Sequence, residues 1–171
     1  QFDSEDSHEV VYESIPVSEV KKLTKTTFIP RSSTPLLDAT GLLVAKIREQ
    51  RARATEATDQ LDDIVFVTIT DGEENSSSEY SLPRVRDLIA NCEAEGWTFV
   101  FLSAGIDAYG DAGDLGMQAG RTRAFRANKT GAEAMFDALS TNMVLLRDKK
   151  RRGLNTSADD FFDEEKVDRF L

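Results

Sequence analysis

Two oxygen-bearing side chains, Thr34 and Asp71, have the residue types and surroundings of a metal site. Thr34 precedes Pro35 where the sequence predicts a helix to begin, and Asp71 directly follows an apolar run that predicts a buried strand. A hydroxyl and a carboxylate are hard oxygen ligands of the kind that Mg²⁺ binds, with water completing its octahedron. Residue types alone favour a structural alternative for each, with Thr34 as a helix N-cap and Asp71 as a turn residue before Gly72.

The run that ends at Asp71 is an uninterrupted series of apolar, β-branched and aromatic residues at positions 64–70, bounded by polar clusters. Such a run is typical of a fully buried strand in a parallel sheet. In open α/β sheets, ligands bind in the crevice outside the carboxyl ends of the strands. The Asp71 carboxylate therefore stands where a site is expected.

The rest of the chain predicts strands and helices in alternation. Strands are predicted at 8–17 (in a hairpin), 97–102 and 122–127, and helices at 34–55, 82–95, 106–120 and 130–152. This order predicts an α/β fold, a three-layer, doubly wound, mostly parallel sheet with an antiparallel edge strand. We expect one domain at 1–153 and an acidic tail at 154–171, which either docks or extends from it.

The charge balance and the missing motifs exclude several classes of function. The formal net charge is −10 over 171 residues, which argues against unaided binding to nucleic acid or to an anionic membrane. No apolar run is long enough for a transmembrane helix and no signal peptide opens the chain, so we expect a cytoplasmic protein. His8 is the only histidine and no phosphate-binding glycine loop is present, so no catalytic or nucleotide-binding residue is assigned.

Two short stretches resemble motifs of von Willebrand factor type A domains. Residues 33–39, around Thr34, resemble the second metal-site motif of that family, and residues 70–75, around Asp71, resemble the third. The likeness covers roughly residues 1–150, and the acidic run after position 70 is most similar to bacterial and phage-type members. It implies a metal-ion-dependent adhesion site in which Thr34 and Asp71 are ligands of Mg²⁺, or of Mn²⁺ or Ca²⁺.

The first motif of that family, Asp-x-Ser-x-Ser after the central strand, is not found in this sequence. Residues 3–7 have the wrong spacing, and residues 74–78 follow the wrong strand. By the family's order, the motif would lie before Gln1. The resemblance therefore implies an N-terminally truncated fold and an incomplete site, and two side-chain ligands hold Mg²⁺ weakly against its hydration shell.

Two functions remain open from the sequence. The resemblance implies a non-catalytic domain that binds a protein partner, with an acidic residue of the partner filling an open position on the metal. The alternative is a Mg²⁺-dependent phosphoryl-transfer enzyme or hydrolase in which Asp71 and Glu73 act as ligand or general base. The chain has no evident nucleophile, activating base or phosphate loop, which favours binding.

Overall fold

The computed structural model describes residues 1–55, 63–105, 107–156 and 159–162. The chain divides into two compact units. Unit 1 comprises Gln1–Leu61 and Glu73–Ser81, and unit 2 comprises Asp62–Gly72 and Leu82–Leu171. The segment Glu73–Ser81 is thus a short excursion of the chain into unit 1 between two stretches of unit 2.

The described elements are four helices and three strands, together with 3₁₀ turns at Val17–Glu19 and Ala119–Arg121. The helices are α1 (Leu36–Thr55), α2 (Leu82–Ala94), α3 (Ala108–Asp114) and α4 (Lys129–Arg151), and the strands are β1 (Val65–Thr70), β2 (Thr98–Ser103) and β3 (Thr122–Ala124). α1 belongs to unit 1, and the other three helices and the three strands belong to unit 2. The alternation of strands and helices confirms the predicted α/β class.

The sheet of unit 2 has the order β1-β2-β3, and both strand pairs are parallel. β1 and β2 are paired along their whole length, so Thr70 and Ser103 lie opposite each other at the carboxyl ends. Every residue of β2 is buried, as expected for a central parallel strand. Among the described residues no antiparallel strand pair is present.

Apolar side chains on one face of the sheet form a core with α4. Val100 and Leu102 of β2 pack there with Met135 and Leu146 of α4, and Val65 and Val67 are partly buried against the same cluster. Because side chains alternate along a strand, Phe99 points to the opposite face, where its ring stacks on that of Phe66 at a centroid distance of 5.1 Å. Both faces of β2 are therefore covered.

The predicted strand at 8–17 is wrong. Residues 9–16 have no regular structure, and the apolar residues that suggested alternation are exposed, with Val10 at 45% and Ile15 at 40%. This part of unit 1 is held instead by Arg31, whose Nε donates to Asp3 Oδ2 at 2.7 Å and whose guanidinium also pairs with Glu9. Alternation predicts a strand only where a partner strand is available.

The boundaries of later elements differ in detail from the prediction. α4 begins at Lys129, one residue before the predicted start, and is capped by Asn128, whose side chain accepts from the Gly131 N–H at 2.8 Å. α3 and β3 are shorter than the predicted helix 106–120 and strand 122–127. α4 ends at Arg151, and two residues further on Gly153 has a φ of +70°, a conformation that glycine adopts readily.

The start of the predicted acidic tail docks on unit 2. Phe161 and Phe162 are buried in the core beside α4, and the Phe162 N–H donates to the Gly120 carbonyl at 2.9 Å. Lys149 Nζ also bonds Asp159 Oδ2 at 2.7 Å. The described part of the tail therefore packs on unit 2 without forming the docking helix that was one alternative, and residues 157–158 and 163–171 lie outside the described residues.

Candidate functional site

Asp71 lies immediately beyond the carboxyl end of β1, and its side chain is exposed. The turn that presents it is made by Thr70, whose Oγ1 donates to the Gly72 carbonyl at 2.9 Å and accepts from the Gly72 N–H at 3.2 Å. The Ala104 N–H donates to the Thr70 carbonyl at 2.9 Å, so β1 stays paired up to its last residue. Asp71 therefore follows a fixed strand end, as its position in the sequence predicted.

Thr34 lies in unit 1, two residues before α1, and is half-buried. Asn75 holds both of its backbone groups, since the Thr34 N–H donates to Asn75 Oδ1 at 2.8 Å and the Thr34 carbonyl accepts from the Asn75 N–H at 3.2 Å. The motif around Thr34 and the segment that follows Asp71 are thus brought together inside unit 1. Asp71 itself belongs to unit 2.

The N-terminus of α1 is capped by the segment Glu73–Ser81 and not by Thr34. Glu74 Oε2 accepts from the Leu37 N–H at 2.9 Å, and Ser77 Oγ accepts from the N–H groups of Leu37 and Asp38, both at 3.1 Å. Ser77 Oγ donates in turn to Glu74 Oε2 at 2.7 Å. A carboxylate beside the first N–H groups of a helix is favoured by their unsatisfied positive ends.

Asp38 completes this arrangement from the helix side. It is only 4% exposed, and its carboxylate accepts the N–H groups of Ser78, Glu79 and Tyr80 at 2.7–2.9 Å. Burial by itself raises the pKa of this carboxyl, but the three backbone donors outweigh burial, so the pKa of Asp38 lies below its ordinary value. The segment and the helix therefore hold each other through reciprocal carboxylate-to-backbone bonds.

The mutual cap formed by Glu74, Ser77 and Asp38 was not predicted from the sequence. The signal was present in part, because an aspartate in the first turn of a helix and an acidic, serine-rich segment are both typical of helix N-termini. What the sequence did not show is that partners about 40 positions apart satisfy one another. Glu73, the second carboxylate of the enzymatic alternative, is exposed.

One aspartate beside α3 serves the fold. Asp107 caps α3, its carboxylate accepting from the Gly110 N–H at 2.9 Å. Within residues 1–55, 63–105, 107–156 and 159–162, no three His, Cys, Asp or Glu side chains gather closely enough to hold a metal ion. A metal at the predicted ligands would thus rely on hydroxyl, backbone or water oxygens beside a single carboxylate.

Unit 1 also contains a cavity of about 380 Å³, lined by residues that include Phe2, His8, Leu43 and Lys46. Lys46 Nζ pairs with Glu13 Oε1 at 2.7 Å. Burial, and then the nearby Lys46 ammonium, lower the pKa of His8, so the imidazole is neutral at neutral pH. Its Nε2 is buried without a hydrogen-bond partner in the described part of the chain, so this nitrogen activates no nucleophile there.

No family model, curated protein or solved structure matches the chain. In the portion of the chain that the structure describes, no helix is both long and apolar enough to cross a membrane.

Proposed function

We propose that this chain is a non-catalytic protein-binding domain with a metal-assisted site, in which Asp71 supplies the carboxylate ligand. The observation that carries the proposal is the exposed Asp71 carboxylate on a rigid turn at the end of a parallel strand. Ligand sites of open parallel sheets favour this edge. The likeness of residues 33–39 and 70–75 to von Willebrand factor type A motifs supplies the kind of site.

The resemblance also implies Thr34 as a hydroxyl ligand, and within unit 1 the backbone of Thr34 is fixed on both sides by Asn75. A carboxylate oxygen is a hard donor that suits Mg²⁺, Mn²⁺ or Ca²⁺, and it leaves positions open for water or for an acidic side chain of a partner. We therefore expect weak binding of the metal by the chain alone.

The test is a titration of ¹⁵N-labelled protein with Mn²⁺, whose unpaired electrons broaden the amide signals of nearby residues. The signals of Asp71 and Gly72 should broaden first, at millimolar Mn²⁺. Asp71→Ala should abolish the effect. The matched control is Asp87→Ala, which removes an exposed aspartate of α2 and should leave the broadening unchanged. Broadening centred elsewhere, or kept in Asp71→Ala, contradicts the proposal.

Activity assays of the original chain and of variants at Asp71 and Glu73 separate binding from catalysis. Glu73 is exposed two positions after Asp71, so the enzymatic alternative has its two carboxylates available. We expect no turnover of a generic phosphate ester with Mg²⁺ or Mn²⁺. Turnover that requires the metal and disappears in both Asp71→Ala and Glu73→Ala would replace the binding proposal by a phosphatase-type activity.

A further inference from the structure

The outer edge of β1 carries backbone groups that pair with nothing in the described part of the chain. The Thr98 N–H donates to the Ile64 carbonyl and the Ala104 N–H to the Thr70 carbonyl, so the even-numbered positions of β1 face β2. Ladder bonds recur at every second residue, so the N–H and C=O groups of Val65, Val67 and Ile69 face outward. No described residue bonds them.

The two edges of this sheet are built differently. β3 has three residues, includes Arg123 and is preceded by Arg121, so it offers little backbone and is flanked by charge. β1 has six residues with no charge, no proline and no glycine. Natural sheets blunt their edges with short strands and charged residues because an unpaired apolar edge invites another strand. Only the β3 edge follows that rule.

The β1 edge is also a rigid template. Its inner side is paired along the whole length of β2, and Val65 and Val67 pack against the core formed with α4. Ile69 is 39% exposed and offers an apolar contact at the carboxyl end of the strand. An incoming strand would therefore meet an ordered backbone and would bear only its own ordering entropy.

The charges at the two ends of β1 select the occupant. Exposed acids, Asp63 and Asp71, flank the strand, and the chain as a whole carries a net charge of −10. Asp63 Oδ1 already pairs with Lys150 Nζ at 3.0 Å, so of the two acids only Asp71 has no ion pair among the described residues. A second copy paired antiparallel about Val67 would place Asp63 of each chain opposite Asp71 of the other. Like charges directly opposite on paired strands are destabilising. A segment with basic residues at its ends would meet attraction at Asp71 and, more weakly, at Asp63, whose carboxylate is shared with Lys150.

We propose that β1 is a docking edge for an extended segment of a partner protein, about six residues long, with alternating apolar side chains and Lys or Arg at its ends. The segment adds to the sheet through the outward N–H and C=O groups of Val65, Val67 and Ile69. Main-chain hydrogen bonds supply the affinity in this mode of recognition, and alternate side chains supply the specificity. No metal takes part.

The probe is a synthetic peptide with the sequence Lys-Thr-Val-Thr-Val-Thr-Lys, titrated into the ¹⁵N-labelled chain in EDTA. The amide signals of Val65, Val67 and Ile69 should shift, and their hydrogen exchange should slow. Two control peptides have the same sequence with N-methyl groups on alternate residues, one peptide for each of the two possible registers of methylation. Each of them is unable to donate hydrogen bonds along one of its two edges. The register that blocks the edge facing β1 should bind roughly tenfold more weakly or worse. A peptide with Glu at both ends should also bind more weakly.

Two protein variants test the same edge from the other side. Val67→Pro removes an outward N–H without touching the bonds to β2, and Val67→Thr is its control with a similar shape. Ile69→Lys places a charge on an exposed position of the edge. It takes the place of Val67→Pro in the test if Val67→Pro does not fold. Both Val67→Pro and Ile69→Lys should lose the peptide, whereas Val67→Thr should retain it.

Four results would overturn the proposal. These are equal binding of both N-methylated registers, signal shifts centred away from β1, and retention of the peptide by Ile69→Lys. The fourth is slow exchange of the outward amides before any peptide is added, which would mean that a segment of the chain itself or a second copy already occupies the edge. Sedimentation at several protein concentrations distinguishes those two occupants. Because the assay contains EDTA, its failure is independent of the metal-assisted site.

Discussion

Asp38 is a carboxylate that serves the fold from within a stretch that resembles a metal motif. It accepts three backbone N–H groups from the segment Glu73–Ser81 while nearly fully buried. We expect Asp38→Asn to lower the free energy of unfolding by about 1–3 kcal/mol, because a neutral amide oxygen is a weaker acceptor and its NH₂ meets donors. Urea unfolding at pH 7 measures the change.

The pH dependence of the stability difference between the original chain and Asp38→Asn identifies the cause of the destabilisation. The pKa of Asp38 is lowered in the folded chain, so its stabilising contribution is complete above the ordinary value of 3.8 and is lost as the pH falls through the folded-state value. The difference between the original chain and Asp38→Asn should therefore shrink as the pH falls below 3.8. Asp87→Asn, at an exposed position of α2, should change stability by less than about 0.5 kcal/mol. A pH-independent difference would contradict the charge-based explanation.

At the scale of elements, the fit between α1 and the segment Glu73–Ser81 depends on Gly41. A methyl group at this position would overlap the ring of Tyr80. Alanine is favoured over glycine inside a helix by about 1 kcal/mol, but the overlap should cost about 1–3 kcal/mol. We expect Gly41→Ala to destabilise the chain and to speed hydrogen exchange at the N–H groups that Asp38 holds.

A double-variant cycle isolates that contact. In a Tyr80→Ala background the ring is gone, so the same Gly41→Ala change should become stabilising by up to about 1 kcal/mol. Gly113→Ala in α3 is the control, because a methyl group there meets open space and should stabilise in both backgrounds. If Gly41→Ala had the same sign with and without the tyrosine ring, steric overlap with Tyr80 would not be the cause.

The sequence predicted best those elements whose pattern is local. The apolar run at 64–70 and the helical spacing from Leu82 to Cys92 each reflect one buried face, and both elements formed where expected. The strand at 8–17 failed because alternation does not reveal whether a partner strand exists. The cap of α1 by Glu74 and Ser77 was not predicted for a related reason. These side chains lie about 40 positions from the N–H groups that they accept, and the sequence does not show that they bond these groups rather than neighbouring backbone.

At the scale of the whole molecule, the chain has two compact units that differ in how they are held together. Unit 2 has a parallel sheet, buried β2 side chains and a core shared with α4. The contacts of unit 1 are rich in carboxylate bonds, such as those of Asp3 with Arg31 and of Asp38 with backbone N–H groups. Apolar burial is insensitive to pH, whereas carboxylate bonds require the ionised form.

Shifted pKa values in unit 1 bear on its response to acid. In the described part of unit 1, the pKa departs from its ordinary value at Asp3, His8, Glu13, Arg31 and Asp38. The pKa values of Asp3 and Asp38 are lowered, and so is that of His8, which is partly buried in its neutral form. Each of these shifts favours the deprotonated group in the folded chain, so each opposes folding as acid is added.

We therefore expect acid to loosen unit 1 before unit 2. The loss should begin below pH 6.5, where His8 takes up a proton more readily unfolded than folded, and should steepen below pH 3.8 as Asp3 and Asp38 are protonated. Residue-resolved hydrogen exchange from pH 7 to below pH 3.8 measures each unit separately, after correction for the intrinsic pH dependence of exchange. Trp97 is 3% exposed and lies in unit 2, so its fluorescence should stay constant while the amides that Asp38 holds lose protection. A red shift of the Trp97 emission before or together with that loss would show that carboxylate pairing does not set the acid sensitivity of unit 1.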